Sequence, residues 1–128
     1  MGGELEKATR GFFDLVDRKD GGAMIGALAE DPQSIDEISR RWLRGTDEVG
    51  AYIRQMVKTV DDVHSSISDV RERVQGEIGL MTCWIEQDYT LEGKSVHVSA
   101  PTTLVFRREG GAWKVLLFHS VPLPAEDL

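Results

Sequence analysis

Hydrophobic positions in the first half of the chain recur every three or four residues, which predicts helices. A first helix has an apolar stripe formed by Leu5, Ala8, Phe12, Leu15 and Val16. Asp20-Gly21-Gly22 ends this helix, and a short second helix is expected over about 23–29. Thr46 is predicted to cap a third helix, whose apolar stripe runs from Val49 to Val60. A short strand near 34–38 is expected between the second and third helices.

From Val63 onward the pattern changes to longer β-rich stretches, which predict strands. Turn residues separate four of them, at roughly 63–75, 77–91, 95–108 and 112–121. Helices followed by an antiparallel sheet form an α+β arrangement in which the helices cover one sheet face. The stretch 77–91 carries apolar residues at both parities, so both of its faces are expected to be covered. A second subunit is the expected cover for the face that the helices leave open.

The turn at Glu92-Gly93 predicts the register of the two strands that it joins. If these two residues form the centre of a hairpin, each position on one strand has a defined partner on the other. The predicted pairs are Cys83 with Thr102, Ile85 with Ala100, Tyr89 with Val96, Asp88 with His97, and Trp84 with Pro101.

The next hairpin, at Gly110-Gly111, leaves two orientations open for the last strand. A two-residue turn and a three-residue or bulged turn differ by one position in parity. One alternative places His119 on the sheet face that carries Thr102, and the other places Phe118 and Ser120 there.

Length and composition narrow the class of protein. A chain of 128 residues with 41% hydrophobic and 29% charged residues is typical of one globular domain, taken as 1–128. The net charge of -7, with both signs scattered, makes nucleic acid a poor partner. The longest apolar run, Val115 to Phe118, is far too short to span a membrane, and the first residues do not resemble a secretion signal. We therefore expect a cytoplasmic protein with no membrane contact.

The spacing of chemically reactive residues indicates neither a metal nor a cofactor. His64, His97 and His119 lack ligand-like spacing, and the single cysteine, Cys83, has no partner for an internal disulfide. No glycine-rich phosphate loop or dinucleotide fingerprint is present in the sequence. The expectation is therefore a site that works through side chains alone.

The order of helices and strands, together with three local stretches, resembles the nuclear transport factor two-like superfamily. The similarity is greatest to its SnoaL-like and ketosteroid-isomerase-like branches. The stretches are Gly11 to Asp17 in the first helix, Gly45 to Val49 opening the third, and Ala112 to Ser120 in the last strand. The resemblance implies three helices packed on a curved, mixed, mostly antiparallel sheet that forms a cone around an internal pocket, the cystatin-like fold. It also implies a homodimer through the outer sheet face.

The same resemblance suggests residues for a site that binds a small apolar organic ligand. Ketosteroid isomerases carry their catalytic Asp on the short strand before the third helix, and Asp36 falls at about that place. A carboxylate near an apolar pocket can act as general base or acid, whereas in a loop beside Glu37 it would be a solvated residue. The expected pocket residues are Phe12, Tyr52, Cys83, Ile85, Tyr89, Thr102, Leu104, Phe118 and Ser120.

His119 is the second catalytic candidate, because an imidazole is a competent acid or base near neutral pH. This role requires that it faces the pocket, whereas the resemblance favours the dimer face for it. Ketosteroid isomerases also hold the enolate oxygen with a Tyr on the first helix and a protonated acid on the penultimate strand. The matching positions here are Phe12 and Thr102. Phe12 has no hydrogen-bond donor, and the hydroxyl of Thr102 is a weaker donor than a protonated acid. Steroid isomerase activity is therefore not expected.

Two functional hypotheses follow from these residues. The first is an isomerase, cyclase or dehydratase that uses acid/base chemistry, without metal, on an apolar or polyketide-like compound. The alternative is a module for ligand binding or homodimerisation that catalyses no reaction.

Overall fold

A computed structural model describes residues 3–124, with three helices packed against one face of a six-stranded sheet. The helices are α1 (Glu4–Asp17), α2 (Gly21–Gly26) and α3 (Gly45–Thr59). The strands are β1 (Leu28–Asp36), β2 (Leu43–Arg44), β3 (Val60–Gln75), β4 (Ile78–Leu91), β5 (Lys94–Glu109) and β6 (Ala112–Ser120). The predicted α+β class is confirmed. Among these helices, none is long and apolar enough to cross a membrane.

The sheet is mixed and has the strand order β2-β1-β6-β5-β4-β3. Strands β1 and β6 are parallel, and every other neighbouring pair is antiparallel. Register shifts interrupt β3 after Asp61 and after Ser68, where Asp62 and Asp69 adopt positive φ. Such bulges bend a strand, so β3 curves past the helices.

The first strand begins earlier than the sequence pattern predicts. Strand β1 starts at Leu28, and the preceding helix α2 ends at Gly26 instead of near Ala29. The carbonyl of Ala27 accepts a hydrogen bond from Val115 N at 2.9 Å, which draws the chain onto β6. Pro32, which has no N–H to donate, lies within the irregular part of this pairing.

The start of α3 also differs from the prediction. The helix begins at Gly45, and the flanking residue is Arg44, whose N–H donates to the carboxylate of Glu48 at 3.0 Å. The hydroxyl of Thr46 is therefore not the cap. The expected apolar stripe is present, because Val49 and Ile53 are buried in the core.

The register between β4 and β5 agrees with the prediction at every pair named above. Cys83 pairs with Thr102, and the other four predicted pairs follow in the same ladder. Both centre residues of the turn, Glu92 and Gly93, have positive φ, as a two-residue type I′ hairpin requires.

The hairpin between β5 and β6 combines both alternatives left open by the sequence. Its turn is the two-residue Gly110-Gly111, but Leu116 is an extra residue in β6, so the register shifts by one. Beyond this bulge, Ser120 pairs with Thr102 and His119 pairs with Thr103. The bulge thus directs Ser120 towards the helices and His119 away from them.

The core lies between the helices and the sheet face that they cover. At one end, α1 packs closely on β4, where Leu5 and Met81 are fully buried. The Thr9 hydroxyl lies 2.9 Å from the sulfur of Met81, and Leu5 sits directly over Gly79, where a Cβ would lie 2.7 Å from either of its methyl groups. This end of the interior is therefore filled.

Candidate active site

A cavity of about 70 Å³ lies between the three helices and the sheet. Most of its lining is apolar and includes the rings of Phe12, Phe13 and Phe118, whose centroids are 6.0 to 6.2 Å apart. Its polar lining residues are Gln33, Ser34, Asp36, Glu37, Tyr52, Gln87, Tyr89 and Ser120. An apolar cavity with a few convergent polar groups is the usual form of a small-molecule site.

Asp36 is the last residue of β1 and is held firmly in place. Its Oδ1 accepts hydrogen bonds from the backbone N–H of Ile38 at 3.1 Å and of Ser39 at 2.8 Å. Its own N–H donates to the Ser39 hydroxyl at 3.0 Å. Asp and Ser side chains stabilise tight turns through such local bonds, so Asp36 closes the turn that follows β1.

Tyr52 on α3 reaches the same carboxylate from the opposite wall. Its hydroxyl lies 2.9 Å from Oδ1 and 2.8 Å from Oδ2 of Asp36. Burial raises the pKa of Tyr52 far above its ordinary value, and the charge and hydrogen bond of Asp36 raise it further. Tyr52 is therefore a protonated donor whose hydroxyl is aimed at this corner of the cavity.

Glu37 lies beside Asp36 on the cavity wall and has few partners. Burial raises its pKa from 4.5 to about 7, and the charge of Asp36 contributes in the same direction. The only side-chain hydrogen bond to its carboxylate within the described residues comes from the Tyr89 hydroxyl, at 3.5 Å. The pKa of Tyr89 rises to about 12, through burial first and the neighbouring carboxylates second.

The two adjacent carboxylates are suited to different roles. Asp36 accepts hydrogen bonds from two backbone amides and a phenol, so its lone pairs are largely occupied. Glu37 has free lone pairs and a pKa close to neutral, which is the property that general acid/base catalysis requires. Glu37 is therefore the better candidate for proton transfer, and the hydrogen bonds of Asp36 suit it to position Tyr52.

The sequence hypothesis selected Asp36 and treated Glu37 only as its neighbour. Both residues line the cavity, because β1 ends at Asp36 and the chain turns at Glu37, so the alternation of a strand no longer applies. The available signal was the pair itself: two carboxylates in succession at the end of a strand, next to an apolar interior.

Five of the nine expected pocket residues line the cavity. They are Phe12, Tyr52, Tyr89, Phe118 and Ser120. The other four are buried on the same sheet face but lie outside the lining: Cys83, Ile85, Thr102 and Leu104. These four positions are therefore corrected from pocket to core. Thr102 is typical of them, since its hydroxyl is engaged by that of Ser120 at 2.8 Å and by the Ala100 carbonyl.

His119 does not reach the cavity. The bulge at Leu116 turns it to the opposite sheet face, where it is exposed and stacks on Trp42 with ring centroids 5.9 Å apart. A catalytic role for His119 in this cavity is therefore wrong. In residues 3–124, no group of three or more His, Cys, Asp or Glu side chains is arranged to hold a metal ion.

The donors in the cavity also differ from those that the resemblance implies. Phe12 lines the cavity without a donor, and Thr102 lies outside the lining. The phenols of Tyr52 and Tyr89 lie instead beside the two carboxylates. The cavity therefore offers hydroxyl donors from α3 and β4.

Comparisons with known proteins agree on the fold of this chain. The model of the SnoaL-like domain family matches residues 5–124. Among curated proteins, none matches the chain in sequence.

Three solved structures illustrate the structural likeness. A dehydratase candidate of the NTF2-like family from Streptomyces avermitilis has a TM-score of 0.87 at 19% identity, with 95% of each chain covered. A ketosteroid isomerase-like protein from Erwinia carotovora atroseptica has a TM-score of 0.79 at 17% identity, again with 95% of each chain covered. A candidate association domain of calcium/calmodulin-dependent protein kinase II from Xanthomonas campestris has a TM-score of 0.84 at 16% identity, covering 97% of this chain and 90% of that one. At these identities the likeness establishes the NTF2-like, cystatin-like fold.

Proposed function

Because the chain belongs to the SnoaL-like domain family, we propose that its cavity binds a small organic compound and catalyses proton transfer on it. Glu37 is the acid/base group of this reaction, and isomerisation, cyclisation and dehydration are the reaction types that it suits. The observation that carries the proposal is the position of Glu37, half-buried in an apolar cavity with a pKa near 7 and with the Tyr89 phenol as the one side chain that donates to it among the described residues.

The chemistry follows from the groups around Glu37. As a carboxylate, Glu37 removes a proton from a carbon next to a carbonyl group, and the released electron pair moves onto the carbonyl oxygen. The hydroxyl of Tyr89 is released from Glu37 as that carboxylate takes the proton, and it then donates to this developing negative oxygen, as donors of an oxyanion hole do, while the hydroxyl of Tyr52 stays on Asp36. Both phenols remain protonated near neutral pH, because their pKa values are raised.

Protonated Glu37 then returns the proton, and the acceptor decides the product. If a second carbon of the substrate accepts the proton, the product is an isomer. A hydroxyl group that departs from the neighbouring carbon takes the proton and leaves as water, which gives a dehydration. The names of two similar structures, a dehydratase candidate and a ketosteroid isomerase-like protein, point to this class of reaction. The small volume of the cavity favours a substrate with few rings.

Exchange of carbon-bound protons tests the proposal without knowledge of the natural substrate. Cyclohexanone in D₂O exchanges its α-protons through an enolate, and NMR follows the loss of their signal. We expect the protein to accelerate this exchange and the Glu37→Gln variant to lose about 10²-fold or more of the acceleration, as loss of a general base does. Glu77→Gln, at an exposed turn residue between β3 and β4, is the matched control. Equal rates for Glu37→Gln and wild type would exclude Glu37 as the base.

The alternative function, a homodimerisation or binding module without catalysis, is supported by the outer face of the sheet, which is the face opposite the helices. Leu80, Val105 and Leu117 form an apolar row across β4, β5 and β6 on this face. Leu80 is 44% exposed. We propose that a second copy of the chain covers this row, and such a dimer is compatible with the catalytic proposal.

Charges on the outer face support the same partner. Arg71 and Arg73 lie near the β3–β4 turn, whereas Glu86 and Asp88 lie towards the other end of β4. A two-fold axis that lies in the interface and runs across the strands would bring the basic end of one face to the acidic end of the other.

A further inference from the structure

The cavity contains two carboxylates but no cation among the lining residues that the structure describes. Asp36 and Glu37 stand side by side at one corner, and their side-chain partners are the hydroxyls of Tyr52 and Tyr89. The nearest basic side chain in sequence, Arg40, donates through Nε to the backbone carbonyl of Glu37 at 3.1 Å, and its own side chain is exposed. Neither carboxylate takes part in an ion pair with a described residue.

The rest of the lining is suited to the body of an apolar cation. The rings of Phe12, Phe118 and Tyr52 line the same cavity, and an ammonium near an aromatic face gains electrostatic attraction when it is desolvated. A buried negative charge without a counter-ion is costly. A ligand that brings a positive charge removes this cost, and a ligand that brings a negative charge increases it.

We propose that the cavity selects an apolar ligand that carries a cationic amine, with the ammonium bound to Glu37 beside Asp36, and that it excludes ligands that carry a carboxylate. This inference rests on the proposed function, because it assigns a substrate class to the same cavity. Glu37 is the principal contact, since its lone pairs are free, whereas those of Asp36 are largely occupied by Ile38, Ser39 and Tyr52.

Binding of an ammonium has a further consequence for the protonation of Glu37. The titratable groups near Glu37 are Asp36 from β1, Tyr52 from α3 and Tyr89 from β4. The uncharged side chains of Gln87 and Ser120 line the same cavity. Asp36 is the charged member of this set, and it favours the protonated state of Glu37. An ammonium reverses this preference and holds Glu37 as the carboxylate. At pH 7, binding of the ammonium should therefore release about half a proton from Glu37.

Three probes of the same shape and different charge test this selectivity. Cyclohexylamine, cyclohexanol and cyclohexanecarboxylate are titrated at pH 7 into the full chain by calorimetry, in phosphate and in Tris buffer. We expect the amine to bind at least about tenfold more tightly than the alcohol, and the carboxylate to bind more weakly than both. The measured binding enthalpy of the amine should differ between the two buffers, because a proton is released on binding.

Variants assign the selectivity to Glu37. Glu37→Gln is expected to weaken amine binding about tenfold or more and to leave alcohol binding within about twofold, which shows that the cavity is still formed. Glu77→Gln should bind all three probes as wild type does. The proposal is overturned if the amine and the alcohol bind with equal affinity, or if the carboxylate binds as tightly as the amine. It is also overturned if Glu37→Gln leaves the affinity for the amine unchanged, or if the amine does not bind at millimolar concentration.

The two proposals fail in distinguishable ways. Proton exchange of cyclohexanone needs no amine, so exchange without amine selectivity overturns the substrate class and leaves Glu37 as the base. Amine selectivity without exchange overturns the catalysis and leaves the cavity as an amine-binding site.

Discussion

The hydroxyl of Tyr52 on α3 lies 2.9 and 2.8 Å from the two carboxylate oxygens of Asp36 at the end of β1. This contact joins a helix to the strand that the same helix covers, across 16 positions in the chain. It also fixes the phenol at the cavity wall beside Glu37. One hydrogen bond therefore connects the stability of the fold with the geometry of the candidate site.

Tyr52→Phe should lower the free energy of unfolding by about 1 to 3 kcal/mol, because it removes a half-buried hydrogen bond to a charged group. Urea denaturation near pH 7 measures this change. Tyr89→Phe is the matched control: its hydroxyl lies 3.5 Å from Glu37, so its loss should cost less. A larger cost for Tyr89→Phe would contradict the ranking of the two phenols.

Glu37 should make the stability of the protein depend on pH in a defined window. Its folded pKa of about 7 is raised above the ordinary 4.5, so the folded state holds this proton more tightly than the unfolded chain does. The stability contribution is fully present below about pH 4.5 and is lost as pH rises through about 7. The loss amounts to at most about 3 kcal/mol, since the side chain is partly exposed.

Glu37→Gln removes this dependence. The stability of the variant relative to wild type should rise between about pH 5 and pH 8, and the difference between the two proteins cancels the titration of all other groups. Urea denaturation at four pH values within this range measures the trend. A difference that is constant with pH would show that the carboxyl of Glu37 titrates normally.

Several features of the site are predictable because they depend on short-range geometry. The Glu92-Gly93 turn defines the register of β4 and β5, so Tyr89 could be assigned to the inner face from the sequence. The helical spacing of Val49, Tyr52 and Ile53 likewise places Tyr52 on the inner side of α3.

Other features depend on tertiary contacts. Alternation assigns Cys83 and Leu104 to the correct face, but only the packing of α1 shows that this end of the interior is filled. The bulge at Leu116 occurs where β6 pairs with β5 and β1, and no rule for turns predicts it. The sequence therefore left open which face of the sheet carries His119. Glu37 was missed because alternation ends with the strand at Asp36.

The close approach of α1 to β4 gives a prediction about packing. Gly79→Ala would place a Cβ 2.7 Å from both methyl groups of Leu5, which is fully buried. We expect a loss of about 1 to 3 kcal/mol in unfolding free energy, as overpacking produces. Gly11→Ala is the control, because nothing lies within 4 Å of its added Cβ in the exposed part of α1. It should stabilise the protein by up to about 1 kcal/mol. If Gly79→Ala were as stable as wild type, Leu5 would have room to move.

The proposed dimer gives a prediction about the outer face. Leu80→Asp inserts a charge into the apolar row with Val105 and Leu117 and should dissociate the dimer, since an unpaired charge in an interface loses several kcal/mol. Sedimentation equilibrium should give twice the 14.3 kDa chain mass for wild type and the single mass for the variant.

A matched substitution separates the face from the charge. Val74→Asp changes a residue of similar exposure, 41% against 44% for Leu80. Val74 pairs with Gly79, however, and so lies on the inner parity of the sheet near its end. It should remain a dimer. Because the cavity lies on the opposite face from Leu80, the Leu80→Asp monomer should still bind cyclohexylamine. If both variants are monomers, or if both remain dimers, the subunit contact does not lie on this face.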